Sequence, residues 1–286
     1  MDMIYFDVSQ SPCHFFAPFR FDINADSSEI ILQLSQRDAR ALLMEQKEYL
    51  VIGFTILKVE LNRKYRLHRF SEAQIQGKSD YIKSKHIFLR TNLNAGRYVI
   101  VVTTFSPNES TDFLLRLFSE RNSKLTSLTK NLPVLKWYQR QTPKLLTRLT
   151  ILNASDLPKQ DVFRSKSIFL QCFRIHKKSV SGGNPYCVVK SENHKISSPP
   201  VTDSELNPDW NEAMLFYRKR PQLPLKISVW NKSFALDTLV GQCEISTLDP
   251  FDELTLELIR KKSSENSEKA GTIRILIENF ENLEEI

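Results

Sequence analysis

Short runs of β-branched, aromatic and leucine-rich sequence recur along the whole chain, with turn-forming residues between them. In the first half these runs are 29–34 (EIILQL), 51–59 (VIGFTILKV), 86–90 (HIFLR), 97–105 (RYVIVVTTF) and 112–118 (DFLLRLF). In the second half they are 145–152 (LLTRLTIL), 186–190 (YCVVK), 213–217 (AMLFY), 225–230 (LKISVW), 239–245 (LVGQCEI), 254–258 (LTLEL) and 272–277 (TIRILI). Each is long enough for one strand and shorter than an ordinary helix of about ten residues or more. Many short strands with Gly, Pro, Asn and Asp between them bury their alternate side chains best as facing sheets. The expected fold class is all-β: two tandem antiparallel β-sandwiches with little helix. Residues 35–48 (SQRDARALLMEQKE) are the exception, with a composition that suits a helical turn or an insertion between strands.

Gly96 precedes the fourth run, and 106–110 (SPNES) separates it from the fifth, as a hairpin or short crossover would. The stretch after residue 118 changes character, with polar sequence and then an apolar cluster at Val134, Leu135, Trp137 and Tyr138. The boundaries expected are a first sandwich over 1–122, a linker over 123–143 and a second sandwich over 144–286. In the second half, 159–183 is a long insertion and 260–270 a charged hairpin tip. Trp210 is expected to anchor a loop, Trp230 and Phe216 to lie in the core, and Gly241 to mark a close backbone approach.

A chain of 286 residues has room for two such domains. No stretch reaches the roughly 18 to 20 apolar residues that a bilayer-crossing helix needs. The first twenty residues lack a basic start followed by an apolar run, so a cytoplasmic protein is expected, peripheral at membranes or cytoskeleton. Cys13, Cys172, Cys187 and Cys243 form no CxxC pair, which fits reduced structural thiols. The formal charge of +7 is uneven: residues 1–143 carry 20 Lys and Arg against 14 Asp and Glu, and residues 144–286 carry 20 against 19. A basic first half favours an anionic partner such as a lipid surface or an acidic protein face. No nucleic-acid-binding motif accompanies the charge, so nucleic acid is not among the expected partners.

The chain offers little for catalysis. Its histidines, at 14, 68, 86, 176 and 194, show no metal-helix spacing, and no GxSxG, GxGxxG or phosphate-loop motif is present. Cys13 and His14 are neighbours in sequence, which is not the geometry of a nucleophile and its base. No catalytic residue and no cofactor is expected. Calcium would need carboxylate and carbonyl oxygens converging from loops at one sandwich end. The candidates are Asp156, Asp161, Asn184, Asn231, Ser233 and Asp237, with neutral side chains where charge would be wanted, so calcium is expected to bind weakly or not at all. Basic residues give a second candidate site: Arg63, Lys64, Arg66 and Arg69, then Lys78, Lys83 and Lys85, and Lys177 and Lys178 in the insertion. Strand alternation would set Lys64 and Arg66 on one face and Tyr65 and Leu67 on the other.

Two sets of motifs carry a family resemblance. Residues 206–212 (LNPDWNE), 229–245 (VWNKSFALDTLVGQCEI), 146–159 (LTRLTILNASDLPK) and 184–189 (NPYCVV) resemble a C2 domain. The family's usual DPY stands here as Asn184-Pro185-Tyr186, and its paired third-loop aspartates as Asn231 and Ser233. Residues 52–70 (IGFTILKVELNRKYRLHRF) and 86–120 (HIFLRTNLNAGRYVIVVTTFSPNESTDFLLRLFSE) are similar to the C2-like domain III of calpains. Domain III followed by C2 resembles the calpain branch that lacks EF-hands. The resemblance implies a papain-like protease core placed before residue 1, so no residue of this chain inherits a role in its catalytic triad. It implies a noncatalytic regulatory or docking module whose partners are proteins, a calpain-type protease core or an anionic membrane. The alternatives are the C-terminal portion of a calpain-like protease, or a calcium-dependent phospholipid-binding C2 protein.

Overall fold

A computed structural model describes residues 2–6, 18–38, 48–107, 109, 111–120, 123–133, 141–158, 183–202, 206–233, 236–246, 252–261 and 267–285. The chain divides into two compact units, Met1–Lys136 with Glu284–Ile286, and Trp137–Leu283. Both are all-β, in keeping with tandem C2-like sandwiches.

The first unit contains β1 (Asp2–Phe6), β2 (Phe19–Gln36), β3 (Val51–Val59), β4 (Ile75–Lys78), β5 (Ile82–Lys83), β6 (His86–Thr104), β7 (Phe113–Ser119) and β8 (Thr126–Ser127). The antiparallel order is β1-β7-β2-β6-β3-β4, with β5 also on β3 and β8 on β2. Two unusually long strands, β2 and β6, line one apolar cluster along both their halves. Along β2 the buried apolar side chains are Phe19, Phe21 and Ile23, then Ile30, Leu32 and Leu34, so the parity that faces the apolar core switches from odd to even. A bulge between Ile23 and Ser27 makes the switch, and all six residues enter the same apolar cluster. The partner strand β6 switches at the same level, from Ile87 and Leu93 to Tyr98, Ile100 and Val102, with Gly96 (φ +154°) opposite Ile23. The runs at 86–90 and 97–105, read from sequence as separate strands, are therefore one strand of 19 residues bent at its glycine. Phe21 stacks on Tyr98 at 5.5 Å, and Phe19 meets Phe113 edge-on at 5.9 Å. Segment 106–110 is a crossover, because β7 pairs with β1 and β2 rather than with β6.

A second cluster of Leu57, Val59, Leu67, Val99 and Leu128 covers the other face of β3 and β6. The stretch read as a linker thus supplies β8 and the buried Leu125 and Leu128 to the first unit. Residues 39–47 and 134–140, which include most of the proposed helical turn and the aromatic cluster, lie outside the described residues.

The second unit contains β9 (Leu145–Ser155), β10 (Asn184–Ser191), β11 (His194–Ser197), β12 (Asp209–Arg218), β13 (Leu225–Lys232), β14 (Thr238–Ile245), β15 (Asp252–Lys261) and β16 (Ser267–Phe280). Their order is β11-β10-β13-β14-β15-β16-β9-β12, antiparallel throughout. Alternation along β13 buries Leu225, Ile227 and Val229, and β10 buries Cys187 and Val189 on the same inward face, with Val188 also covered on the other. They join Leu149, Ile151, Met214, Phe216, Ile273, Ile275 and Ile277 among the buried residues of this unit. Gly241 does allow a close approach: a Cβ there would lie 2.9 Å from Leu258 Cβ and 3.0 Å from Ala270 Cβ. Trp210 is buried and donates its Nε1–H to Pro185 O at 3.2 Å, fixing β12 to the start of β10. The expectation of a core Trp230 is corrected: it sits half-buried on the outward-facing side of β13, where parity with Lys226 and Ser228 places it.

Candidate functional site

Where β10 and β13 meet β14, the loop-end candidates come together in pairs. Asn184 lies opposite Lys232 and Pro185 opposite Asn231. The Asn184 backbone N–H donates to Asn231 Oδ1 at 2.7 Å, and Asn231 is buried. Ser233 N–H donates to Asp237 Oδ1 at 3.1 Å, while the Tyr186 hydroxyl donates to Asp237 Oδ2 at 2.7 Å. These bonds hold the Asp237 carboxyl below its ordinary range, the Tyr186 hydroxyl acting most strongly and the Ser233 amide next. Burial first, and then the bond to Asp237, push Tyr186 up to about 12. Asp156 has φ +57° and donates its N–H to Asn207 Oδ1 at 3.1 Å. Asp161 lies outside the described residues. Among the described residues, no three of His, Cys, Asp and Glu are grouped as a metal ion would need.

The basic residues singled out from sequence scatter. Segment 61–70 is not a strand: Arg63 N–H bonds Glu60 O at 3.0 Å in a turn, so alternation does not apply there. Arg63 is 1% exposed and its Nε lies 2.5 Å from Glu60 Oε2, which corrects its reading as a docking residue. It is a structural ion, held because a buried guanidinium needs a buried partner. Lys64 is exposed, Arg66 is half-buried, and Arg69 is exposed and faces Glu285 of the same unit at 3.6 Å. Lys83 pairs with Glu48 at 2.5 Å and Lys85 with Asp38 at 2.7 Å, while Lys78 lies over the Tyr81 ring at 5.8 Å. Lys177 and Lys178 lie outside the described residues.

A basic row that escaped the sequence reading lies on the second unit. Lys195 on β11 is directly opposite Lys190 on β10, and Lys190 is directly opposite Lys226 on β13. All three are exposed on the outward face, opposite in parity to Cys187, Val189 and Ile227. Beyond them Lys226 meets Glu244 of β14, Nζ to Oε1 2.6 Å. Among the described residues neither Lys190 nor Lys195 has an ion-pair partner. Toward the loop end the same face carries Tyr186 opposite Trp230, whose Nε1–H donates to Ser228 Oγ at 3.0 Å. Leu236, beside Asp237, is 80% exposed. The arrangement presents adjacent cations across three strands, with Tyr186 and Trp230 four residues nearer the loop end on the same face of β10 and β13.

Comparison with known proteins assigns both units. Residues 15–118 match the family described as calpain large subunit, domain III, and residues 146–265 match the C2 domain family. Calpain-5 of Mus musculus is 32% identical over 262 residues, 90% of this chain and 38% of the mouse protein. Calpain-5 of Caenorhabditis elegans is 26% identical over 265 residues, 91% of this chain and 37% of that protein. The chain thus spans somewhat over a third of the length of these relatives. Among solved structures, a C2 domain of plant extended synaptotagmin 1 is 20% identical with a TM-score of 0.37, covering 48% of this chain and 95% of that one. A pair of C2 domains from extended synaptotagmin 2 is 12% identical with a TM-score of 0.34, covering 96% of each chain. The regions matched by family are domain III and C2, and a protease domain is not one of them. In this order and over nearly its whole length, the chain has the domain III–C2 architecture of calpains of the calpain-5 type.

Proposed function

We propose that this chain is a noncatalytic regulatory and docking module of a calpain-like protein, acting in the cytoplasm. Its second sandwich engages anionic membrane surfaces through Lys190, Lys195 and Lys226, without calcium. The observation that carries the reading is the cross-strand register Lys195–Lys190–Lys226 on one exposed face. Like charges placed directly opposite one another repel, so such a row gains from an anionic surface that neutralises it. Tyr186 and Trp230, farther along the same face, add amphipathic area.

Calcium independence is supported by the same loops. Calcium takes six to eight oxygens, several of them charged. Of Asn184, Asn231, Ser233 and Asp237, Asp237 alone is acidic, and both its oxygens already accept hydrogen bonds. The Asn231 oxygen is likewise engaged by the Asn184 amide. A second reading is docking to a protease core carried by a longer protein, favoured by the calpain-5 match of which this chain spans 38%.

Vesicle co-sedimentation tests the proposal, with phosphatidylserine-containing and neutral vesicles, with calcium or with chelator, at low and physiological salt. Binding that requires anionic lipid, persists in chelator and weakens with salt is the expected result. Binding that appears only with calcium, or equal binding to neutral vesicles, overturns it. No binding to either vesicle, together with binding to a purified calpain protease core, replaces it with the second reading.

A further inference from the structure

At the end of the first unit where β2 stops and β6 starts, a cleft of about 670 Å³ opens. Its lining includes Ser35, Arg37, Lys85, His86, Leu114 and Arg116. Register assembles these groups on one face. Ser35 is opposite both His86 and Leu114, and Gln33 is opposite Arg116 in the next outward-facing row. His86 Nδ1 lies 2.8 Å from Ser35 Oγ.

The charges are not evenly settled. At the rim Arg37 faces Asp112 at 3.5 Å and Lys85 faces Asp38 at 2.7 Å, so two cations meet two carboxylates. Arg116 is different. Among the described residues its Nη1–H reaches only the neutral carboxamide Oε1 of Gln33, at 3.3 Å, and its buried Nε has no hydrogen-bond partner. A buried guanidinium nitrogen without an acceptor carries a desolvation penalty, and the rest of this half-buried side chain lines the cleft. The positive field reaches His86, which is held below the ordinary imidazole range by burial first and by Lys85 and Arg116 next, against a smaller opposing pull from Asp38.

We infer that this cleft binds a small oxyanion of the phosphate class, as free inorganic phosphate or a phosphate monoester, with Arg116 as its principal ligand and Ser35 and His86 beside it. The planar guanidinium fork matches the oxygen spacing of phosphate, and charge-assisted bonds are the strong ones. The volume lies within the range of small-molecule sites, about 300–1,000 Å³. A bound anion supplies the charge that Arg116 lacks and favours the imidazolium form of His86. Anion binding and protonation of the ring therefore favour one another: the imidazolium adds a cation to Arg37, Lys85 and Arg116 against Asp38 and Asp112, and bound phosphate raises the ring's titration midpoint. This site lies in the first unit and is independent of the lysine row proposed for membranes.

The test is nuclear magnetic resonance of the full chain titrated with inorganic phosphate, following the His86 ring and the Arg116 Nε–H, with sodium chloride as the ionic-strength control. Saturable shifts at both groups and an upward move of the His86 titration midpoint are expected. Arg116→Gln should weaken phosphate binding roughly ten- to a hundredfold, with Arg116→Lys intermediate and thermal midpoints showing that both variants fold. A His86 midpoint indifferent to phosphate in the unsubstituted chain overturns the inference whether or not the variants fold. Anionic-vesicle binding of Arg116→Gln should equal that of the parent. Loss of vesicle binding with no response to free phosphate would identify a lipid headgroup instead and overturn the free-anion assignment.

Discussion

Replacing Lys190 and Lys195 together by glutamine isolates the lysine row. They form a direct cross-strand pair and lack carboxylate partners among the described residues. Each lysine close to an anionic membrane contributes about 1 kcal/mol. Losing both removes about 2 kcal/mol, a roughly thirtyfold fall in partitioning. Lys226 should behave differently, because Glu244 lies 2.6 Å from it and already offsets its charge. The sign of the Glu244 effect is the sharper test. Glu244→Gln frees Lys226 and removes a carboxylate that the membrane repels, so binding should tighten by up to about fivefold, the equivalent of about 1 kcal/mol. Co-sedimentation with phosphatidylserine vesicles in chelator, across a salt series, measures all three proteins. The differences should shrink as salt shortens the screening length to about 8 Å at physiological strength. Parent-like binding by the double variant at every salt, or weaker binding by Glu244→Gln, would refute the reasoning.

Three further perturbations probe the scaffold. Gly241→Ala drives a methyl to within 3.0 Å of two other Cβ atoms, those of Leu258 and Ala270, and overpacking of this kind costs about 1–3 kcal/mol; an unchanged denaturant midpoint would contradict the tight approach. Glu60→Gln removes the buried carboxylate beside Arg63, both residues being 1% exposed, and should destabilise the first unit by about 3–5 kcal/mol in equilibrium denaturation. The Asp237–Tyr186 bond should leave a mark at both ends of the pH scale. Asp237 is depressed on folding, so its stabilisation is present above the ordinary carboxylate value of about 4 and lost as pH falls through its own lower value. Tyr186 is pushed up to about 12, so its contribution is full below about pH 10 and lost as pH rises from there toward 12. Tyr186→Phe should remove the alkaline loss and shrink the acid one when the thermal midpoint is followed against pH; an unaltered alkaline limb would discount the bond.

The all-β class was legible because strand-forming runs are local properties, readable from side-chain type and spacing. The continuity of β6 was not. Residues 91–96 (TNLNAG) look like a turn in sequence, but in β6 they carry the strand through a change of inward parity. The bulge after Ile23 and the glycine at 96 make that possible, and both signals resemble breaks unless the partner strand is known. The boundary of the first unit was obscured for a related reason. Thr126 and Ser127 have no strand-like pattern of their own and are ordered by pairing with Arg20 and Phe19.

Charge was easiest to misread where it was densest. The run at 63–69 holds four cations in seven residues, yet folding turns one of them, Arg63, into a buried partner of Glu60 and leaves the others on a turn and loop. A dense local run does not by itself make a flat basic surface, since consecutive loop residues diverge. Lys190, Lys195 and Lys226 are far apart in sequence and look ordinary one at a time. The period-two pattern did place Lys226 on the face opposite Ile227. What it could not supply was the register between β11, β10 and β13, because a slip of one residue would move any of the three to the other face. Between β10 and β13 that register is fixed by the buried set of Cys187, Val189, Ile227 and Val229, whereas β11, which buries no residue, is set on β10 by the turn at Glu192 and Asn193. The core therefore positions Lys190 and Lys226, and the turn positions Lys195: a shift of the inner residues by one place would disperse the row without altering a single charge.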